Sequence, residues 1–197
     1  MKSHKPIPLE DIKAAARRME DDVVRTPLTR LNTENDSAEI YLKLENFQPL
    51  RSFKLRTAYN VIQLMDKEQL QNGIWTISSG NLSQGLDWVA RKFGIKCSIV
   101  VSEYISDIKE KAILELGANL IKMPYEMYLI QAGLTEQFEG TMFEEIEGKF
   151  IHPFSNHDVM AGNGTIGLEI PENLPDVGTV LVPWGGWRTC LWYCFSN

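Results

Sequence analysis

The sequence predicts an α/β protein built on a mainly parallel sheet, and two features carry that expectation. Short apolar strands alternate with helices that end at glycine, the sequence form of successive strand–helix–strand units. The turns leading from strand into helix are polar or glycine-rich, and open α/β sheets bind ligands at the carboxyl ends of their strands.

Residues 9–23 read as an amphipathic helix with Ile12, Ala15, Ala16 and Met19 on one face, ended by Arg25-Thr-Pro-Leu. Ile40, Tyr41, Leu42 and Leu44 form a β-rich segment that stops at Pro49. Ser52 is then placed to cap a helix over residues 53–65. A strand at Ile74–Ile77 meets the turn Ser78-Ser79-Gly80-Asn81, and a helix over 82–93 closes at Gly94. A strand at 97–101, a helix over 106–116 closed by Gly117 and a strand at 120–123 complete the run. Farther on, residues 150–154 and 179–182 read as two more strands. The helix between them, near 164–170, is interrupted by Pro171.

The chain's 197 residues suffice for one ordinary domain or two small ones, and 44% hydrophobic with 23% charged residues is a normal globular balance. A formal charge of −6, with no basic run interleaved with aromatics, argues against a nucleic-acid or anionic-membrane surface. No segment approaches transmembrane length, and the N-terminal Met-Lys-Ser-His-Lys-Pro-Ile-Pro holds no apolar signal segment. Cys97, Cys190 and Cys194 make no metal-ligand or disulfide framework. The expectation is a cytoplasmic enzyme or binding protein without a metal, nucleic-acid or membrane partner.

Lys54 stands out because it falls in the first turn of the helix that Ser52 opens. There the helix dipole and unpaired N–H groups disfavour a cation. With burial, a depressed pKa there leaves a neutral amine able to form a Schiff base. Taken alone, a solvated lysine is the plainer reading. The turn at 78–81 adds a row of outward backbone N–H groups that suits a carboxylate or phosphate, with Gly80 allowing close approach and Asn81 offering an amide. A third strand runs through Val180-Leu-Val-Pro-Trp into Gly185 and Gly186. Each turn alone is weak, since Ser, Gly and Asn clusters are usually simple turns.

Together these segments resemble the fold-type II pyridoxal-phosphate enzymes of the serine/threonine dehydratase and serine racemase family. Leu42-Lys-Leu-Glu-Asn-Phe-Gln-Pro with Ser52-Phe-Lys-Leu-Arg-Thr-Ala is similar to the family's lysine segment. Thr76-Ile-Ser-Ser-Gly-Asn-Leu-Ser-Gln-Gly resembles its substrate loop, and Ala90-Arg-Lys-Phe-Gly-Ile-Lys continues it. His152-Pro-Phe and Val159-Met-Ala-Gly-Asn-Gly-Thr-Ile-Gly-Leu-Glu match a further stretch. The resemblance implies the tryptophan synthase β-like architecture, with open parallel sheets and flanking helices and with the large domain incomplete. Residues 1–49 and 148–186 would belong to that large domain, and 50–147 to a small α/β domain. It implies pyridoxal 5'-phosphate as cofactor and L-threonine or L-serine as substrate, deaminated by β-elimination to a 2-oxo acid and ammonia. It also implies a homo-oligomer for the full-length family form.

Residue by residue, Lys54 would carry the cofactor and then remove the α-proton. Phe53 would lie beside the ring, and Asn81 would bond its phenolic oxygen. Backbone N–H groups of Ser78, Ser79, Gly80, Asn81 and Leu82 would hold the substrate carboxylate. Gly185 and Gly186 would begin the phosphate loop. Ser79 is either a helix-capping serine or, as in the racemases, the acid on the opposite cofactor face.

Four positions depart from the family pattern. Arg51 and Thr57 stand where glycines are usual, and Leu82 stands in place of a histidine. Arg51 either crowds the cofactor or points to solvent. The fourth departure follows Gly186, where Trp187-Arg-Thr-Cys-Leu-Trp-Tyr-Cys-Phe-Ser-Asn replaces the rest of a glycine loop. Read one base later, the codons of Trp187 and Trp192 both become Gly, and the shifted frame can spell Gly-Gly-Leu-Val-Ser-Gly-Ile-Ala. Residues 187–197 are therefore expected to be a frameshifted tail on a truncated enzyme, with low stability and impaired turnover. The remaining alternatives are a serine racemase and a non-catalytic fragment or interaction module.

Overall fold

The computed structural model describes residues 7–32, 38–126, 146–153 and 157–182. Its elements in chain order are α1 (Leu9–Arg18), β1 (Leu28–Arg30), β2 (Tyr41–Lys43), a 3-10 turn (Glu45–Phe47), α2 (Lys54–Leu64), α3 (Lys67–Leu70), β3 (Ile74–Ile77), α4 (Asn81–Lys92), β4 (Cys97–Ser102), α5 (Asp107–Leu116), β5 (Asn119–Met123), β6 (Lys149–Phe150) and α6 (His157–Asn173). Strands β5, β4, β3 and β6 lie in that order in one sheet, and every pairing in it is parallel. β1 and β2 pair separately and antiparallel, Thr29 opposite Leu42.

Side-chain alternation along the strands divides the core in two. Ile74, Cys97, Ile99 and Val101 face the helices and join Leu55, Ala58, Leu86, Val89 and Ile113 in the main core. Trp75, Ile77, Val100 and Met123 form a second cluster on the opposite face, where Trp75 packs on Phe150 at a ring distance of 4.4 Å. Burial on both faces is the reason β3 and β4 are nearly continuous apolar runs.

α2 lies between two helices that approach it through glycine. A Cβ on Gly85 of α4 would sit 3.0 Å from the Lys54 carbonyl oxygen, and one on Gly162 of α6 would sit 2.6 Å from that of Arg56. At these two positions the missing side chain lets helix backbones meet.

Several elements differ from the sequence reading. α1 ends at Arg18, and Asp22 and Val23 then bond back to the Met19 carbonyl as turns. α3 was not expected, although Asp66 and Gln69 form a reciprocal capping box that starts it. α6 begins at His157, and Pro171 is accommodated in its last turn, where little of the hydrogen-bond ladder remains to break. The strand expected at 150–154 pairs at Lys149–Phe150, and its backbone bonding continues from Ile151 N–H to the Trp75 carbonyl. The strand expected at 179–182 is absent. Those residues follow α6 without a ladder, Leu181 is 90% exposed, and no described strand lies beside them to satisfy their backbone groups. No helix among the described residues is long and apolar enough to cross a membrane.

Candidate active site

The site is assembled from two segments, the entry to α2 and the turn between β3 and α4. Arg51 precedes α2 with φ +54°, a left-handed conformation that a non-glycine residue adopts at a cost. Glycine would adopt it without that cost. Arg51 is exposed. Ser52 accepts the Lys54 backbone N–H on its hydroxyl at 3.3 Å, but α2 begins at Lys54 with Phe53 as its N-cap and no capping side chain, so the capping role expected of Ser52 is not the one it takes. Phe53 packs against the main core, and the Lys54 amine lies 5.1 Å from its ring centre.

The Lys54 amine is largely withdrawn from water. Burial pushes its pKa down from 10.5 to about 8, because desolvation penalises the ammonium form. The contact between Gly85 and the Lys54 carbonyl sets the first turn of α2 against the second turn of α4. The turn at 78–81 opens α4 at the carboxyl end of β3.

Within that turn the structure sorts the expected donors. The Ser78 N–H is spent on the Val100 carbonyl at 3.2 Å, continuing the β3–β4 ladder. The Gly80 N–H reaches the Ser78 hydroxyl at 3.3 Å, and the Ser83 hydroxyl donates to the Gly80 carbonyl. Asn81 and Leu82 open α4, so their N–H groups have no partner within the helix. Gly80 is the N-cap and no side chain caps α4, which removes the capping role considered for Ser79. The Asn81 side chain is exposed, whereas Leu82 is only 3% exposed and belongs to the main core. Leu82 can therefore serve a ligand through its backbone alone. Gly185, Gly186 and the tail 187–197 lie outside the described residues.

Two features behind the lysine were not anticipated. Arg56, 1% exposed, bonds Glu45 through Nε and Nη2, both at 2.9 Å, and Glu169 through Nη1 at 2.6 Å and Nη2 at 3.0 Å. Lys43 pairs with the same Glu169. The buried Thr57 hydroxyl donates to Asn163 on α6, so the residue standing in place of glycine joins two helices. The residues involved were visible in the sequence, but the pairings with Glu169 and Asn163 span more than a hundred positions and left no local signal.

Among known proteins, the family model described as "Pyridoxal-phosphate dependent enzyme" matches residues 19–190. An L-threonine ammonia-lyase of Thermotoga maritima is 40% identical over 193 residues, covering 91% of this chain and 44% of the relative. A serine racemase of Dictyostelium discoideum is 37% identical over 182 residues, covering 91% of this chain and 55% of the relative. The solved structure of maize serine racemase superimposes with a TM-score of 0.81 at 27% identity, covering 94% of this chain and 56% of that one. The chain thus spans about half the length of the curated relatives it matches. Its parallel sheet and flanking helices have the fold-type II architecture. With a family model matching most of its length and a desolvated lysine at the start of α2, the helix that α4 packs on through Gly85, the chain belongs to the pyridoxal-phosphate dependent enzymes.

Proposed function

We propose that the chain carries the lysine and substrate-loop part of a pyridoxal-phosphate dependent L-threonine/L-serine ammonia-lyase. The observation that carries this reading is the desolvated Lys54 amine at the start of α2, a helix that Gly85 of α4 meets at the Lys54 carbonyl. The residues present fit the cofactor: a reactive amine suits its aldehyde, and exposed Asn81 with the free N–H groups of a helix start suits acidic oxygens. Lys54, Phe53, Asn81, Gly185 and Gly186 would hold it. When bound, pyridoxal phosphate supplies an aldehyde for imine formation and a ring that delocalises charge from the substrate α-carbon.

With a pKa of about 8, about a tenth of Lys54 is neutral at pH 7, against a few parts in ten thousand for an ordinary lysine. That fraction lets the amine act first as nucleophile and later as acceptor of the α-proton. Backbone N–H groups of Ser79, Asn81 and Leu82 orient the substrate carboxylate at the start of α4, where the helix dipole favours an anion. Loss of the β-hydroxyl followed by hydrolysis gives the 2-oxo acid and ammonia. One second reading takes Ser79, which does not cap α4, as the acid on the opposite face and the chain as a serine racemase.

Residues 50–147 are assigned to the small domain, with 1–49 and 148–186 contributing to the large cofactor-binding domain. Residues 187–197 are assigned to an out-of-frame tail. The full-length form is a cytoplasmic homo-oligomer acting on a small amino acid.

The test mixes purified chain with pyridoxal phosphate and records the visible spectrum, then assays 2-oxo acid from threonine and serine. A visible absorption band that disappears in Lys54→Ala is expected. A chain that gives no band, or the same band without Lys54, refutes the reading.

A further inference from the structure

Lys54 and Arg56 are two positions apart, about 200° around a helix, so their side chains leave α2 on nearly opposite sides. On the Lys54 side lies α4, with Gly85 against the Lys54 carbonyl. On the Arg56 side lies α6, with Gly162 against the Arg56 carbonyl. The Arg56 guanidinium is gripped by two carboxylates from different parts of the chain, Glu45 of the 3-10 turn and Glu169 of α6. It also bonds Thr165 Oγ1 at 3.1 Å and the Val24 carbonyl at 3.2 Å. Lys43, at the end of β2, closes the group by bonding both Glu169 and the Thr26 carbonyl. Two cations and two carboxylates thus form a neutral quartet whose side chains are 2–14% exposed.

Such a grip holds a helix against rotation in a way that apolar packing alone does not. The guanidinium fork has a fixed plane, and both carboxylates meet it at two nitrogens. We propose that Arg56 is a positioning residue for Lys54: fixed by Glu45 and Glu169, it sets the rotation of the first turn of α2 and thereby keeps the Lys54 amine turned toward α4 and out of water. This rests on Lys54 being the functional amine. The low proton affinity of Lys54, which burial causes, agrees with it.

The test needs no cofactor. Lysines of the intact chain are labelled competitively with acetic anhydride across a range of pH, and the rate at Lys54 is read by peptide mass spectrometry against exposed Lys67 and Lys109. In the unsubstituted chain Lys54 should titrate near 8. Arg56→Lys keeps the charge but loses the fork. It should leave the chain folded by circular dichroism while lowering Lys54 labelling at pH 7 about tenfold, as the amine regains water. Glu45→Gln, which removes one charge but keeps an acceptor, should shift the profile the same way by less, and it serves if Arg56→Lys does not fold. Ile99→Val loosens the core elsewhere and should leave the profile unmoved.

An unchanged Lys54 profile in either folded network variant overturns the proposal. So does an ordinary profile in the unsubstituted chain, or an equal shift in Ile99→Val. A chain that shows the shift yet takes up no pyridoxal phosphate supports the positioning role and sinks the functional reading, so the two failures are distinct.

Discussion

A half-buried amine at the start of a helix costs stability, and for Lys54 the cost is visible in its proton affinity. Its folded pKa of about 8 lies below the ordinary 10.5, so the unfolded chain binds the proton more tightly and stability rises with pH across that interval. The penalty is full below about 8 and fades as pH approaches 10.5. Lys54→Met keeps the stem and removes the charge. It should raise stability by about 2 kcal/mol at pH 7, with the gain vanishing above 10.5. Urea unfolding at several pH values measures this, and a destabilised variant at pH 7 contradicts it. Arg51 adds a smaller cost three residues earlier, about 1–2 kcal/mol for its left-handed backbone. Two adjacent local costs at one helix entry are typical of a site held in place by its surroundings. The placement of Lys54 was legible from Ser52 and Pro49. The exposure of Arg51 was not, because a sequence does not say which way a side chain leaves a left-handed residue.

At the level of elements, the geometry of the site depends on how closely α4 approaches α2. Gly85→Ala puts a methyl group 3.0 Å from the Lys54 carbonyl oxygen, and backbone cannot yield there as a flexible side chain would. The substitution normally favours a helix, yet here it should destabilise by about 1–3 kcal/mol. It should also bring Lys54 labelling closer to that of a surface lysine. A neutral or stabilised Gly85→Ala, seen in thermal unfolding, would show that the helices have room to spare. Strand–helix alternation was legible because each unit announces itself by local periodicity and a closing glycine. The quartet of Lys43, Glu45, Arg56 and Glu169 was not, since each member reads in isolation as a surface charge. Only tertiary packing brings them together.

For the molecule as a whole, two buried ionisable groups shape the dependence of stability on pH. Asp87 of α4 accepts the Ala118 N–H at 3.0 Å, just ahead of β5, and burial raises its pKa from 3.8 to about 6 despite that bond and Arg91 nearby. The native state therefore holds this proton more tightly than the unfolded state, and stability falls as pH rises from 3.8 to 6. Above 6 the Asp87 penalty is complete, and below 8 the Lys54 penalty is complete, so both apply around neutrality. Asp87→Asn keeps an acceptor for Ala118 and should add about 1–2 kcal/mol at pH 7 and almost nothing at pH 4. Equal gains at both pH values would rule out the charge as the cause. Burial, with a smaller contribution from the same carboxylate, pushes the Cys97 thiol far above its usual range, leaving it an inert core residue. The strand order also has a temporal consequence. β3 meets β4 after a gap of about twenty residues, but its other edge is completed only by β6, whose Lys149 stands opposite Ile74. Loop closure over that span is slower than over the shorter one, so on the ribosome the β3–β4–β5 part can assemble while one side of β3 stays open. Arrival of Phe150 against Trp75 marks the end of that interval, and indole fluorescence can time it.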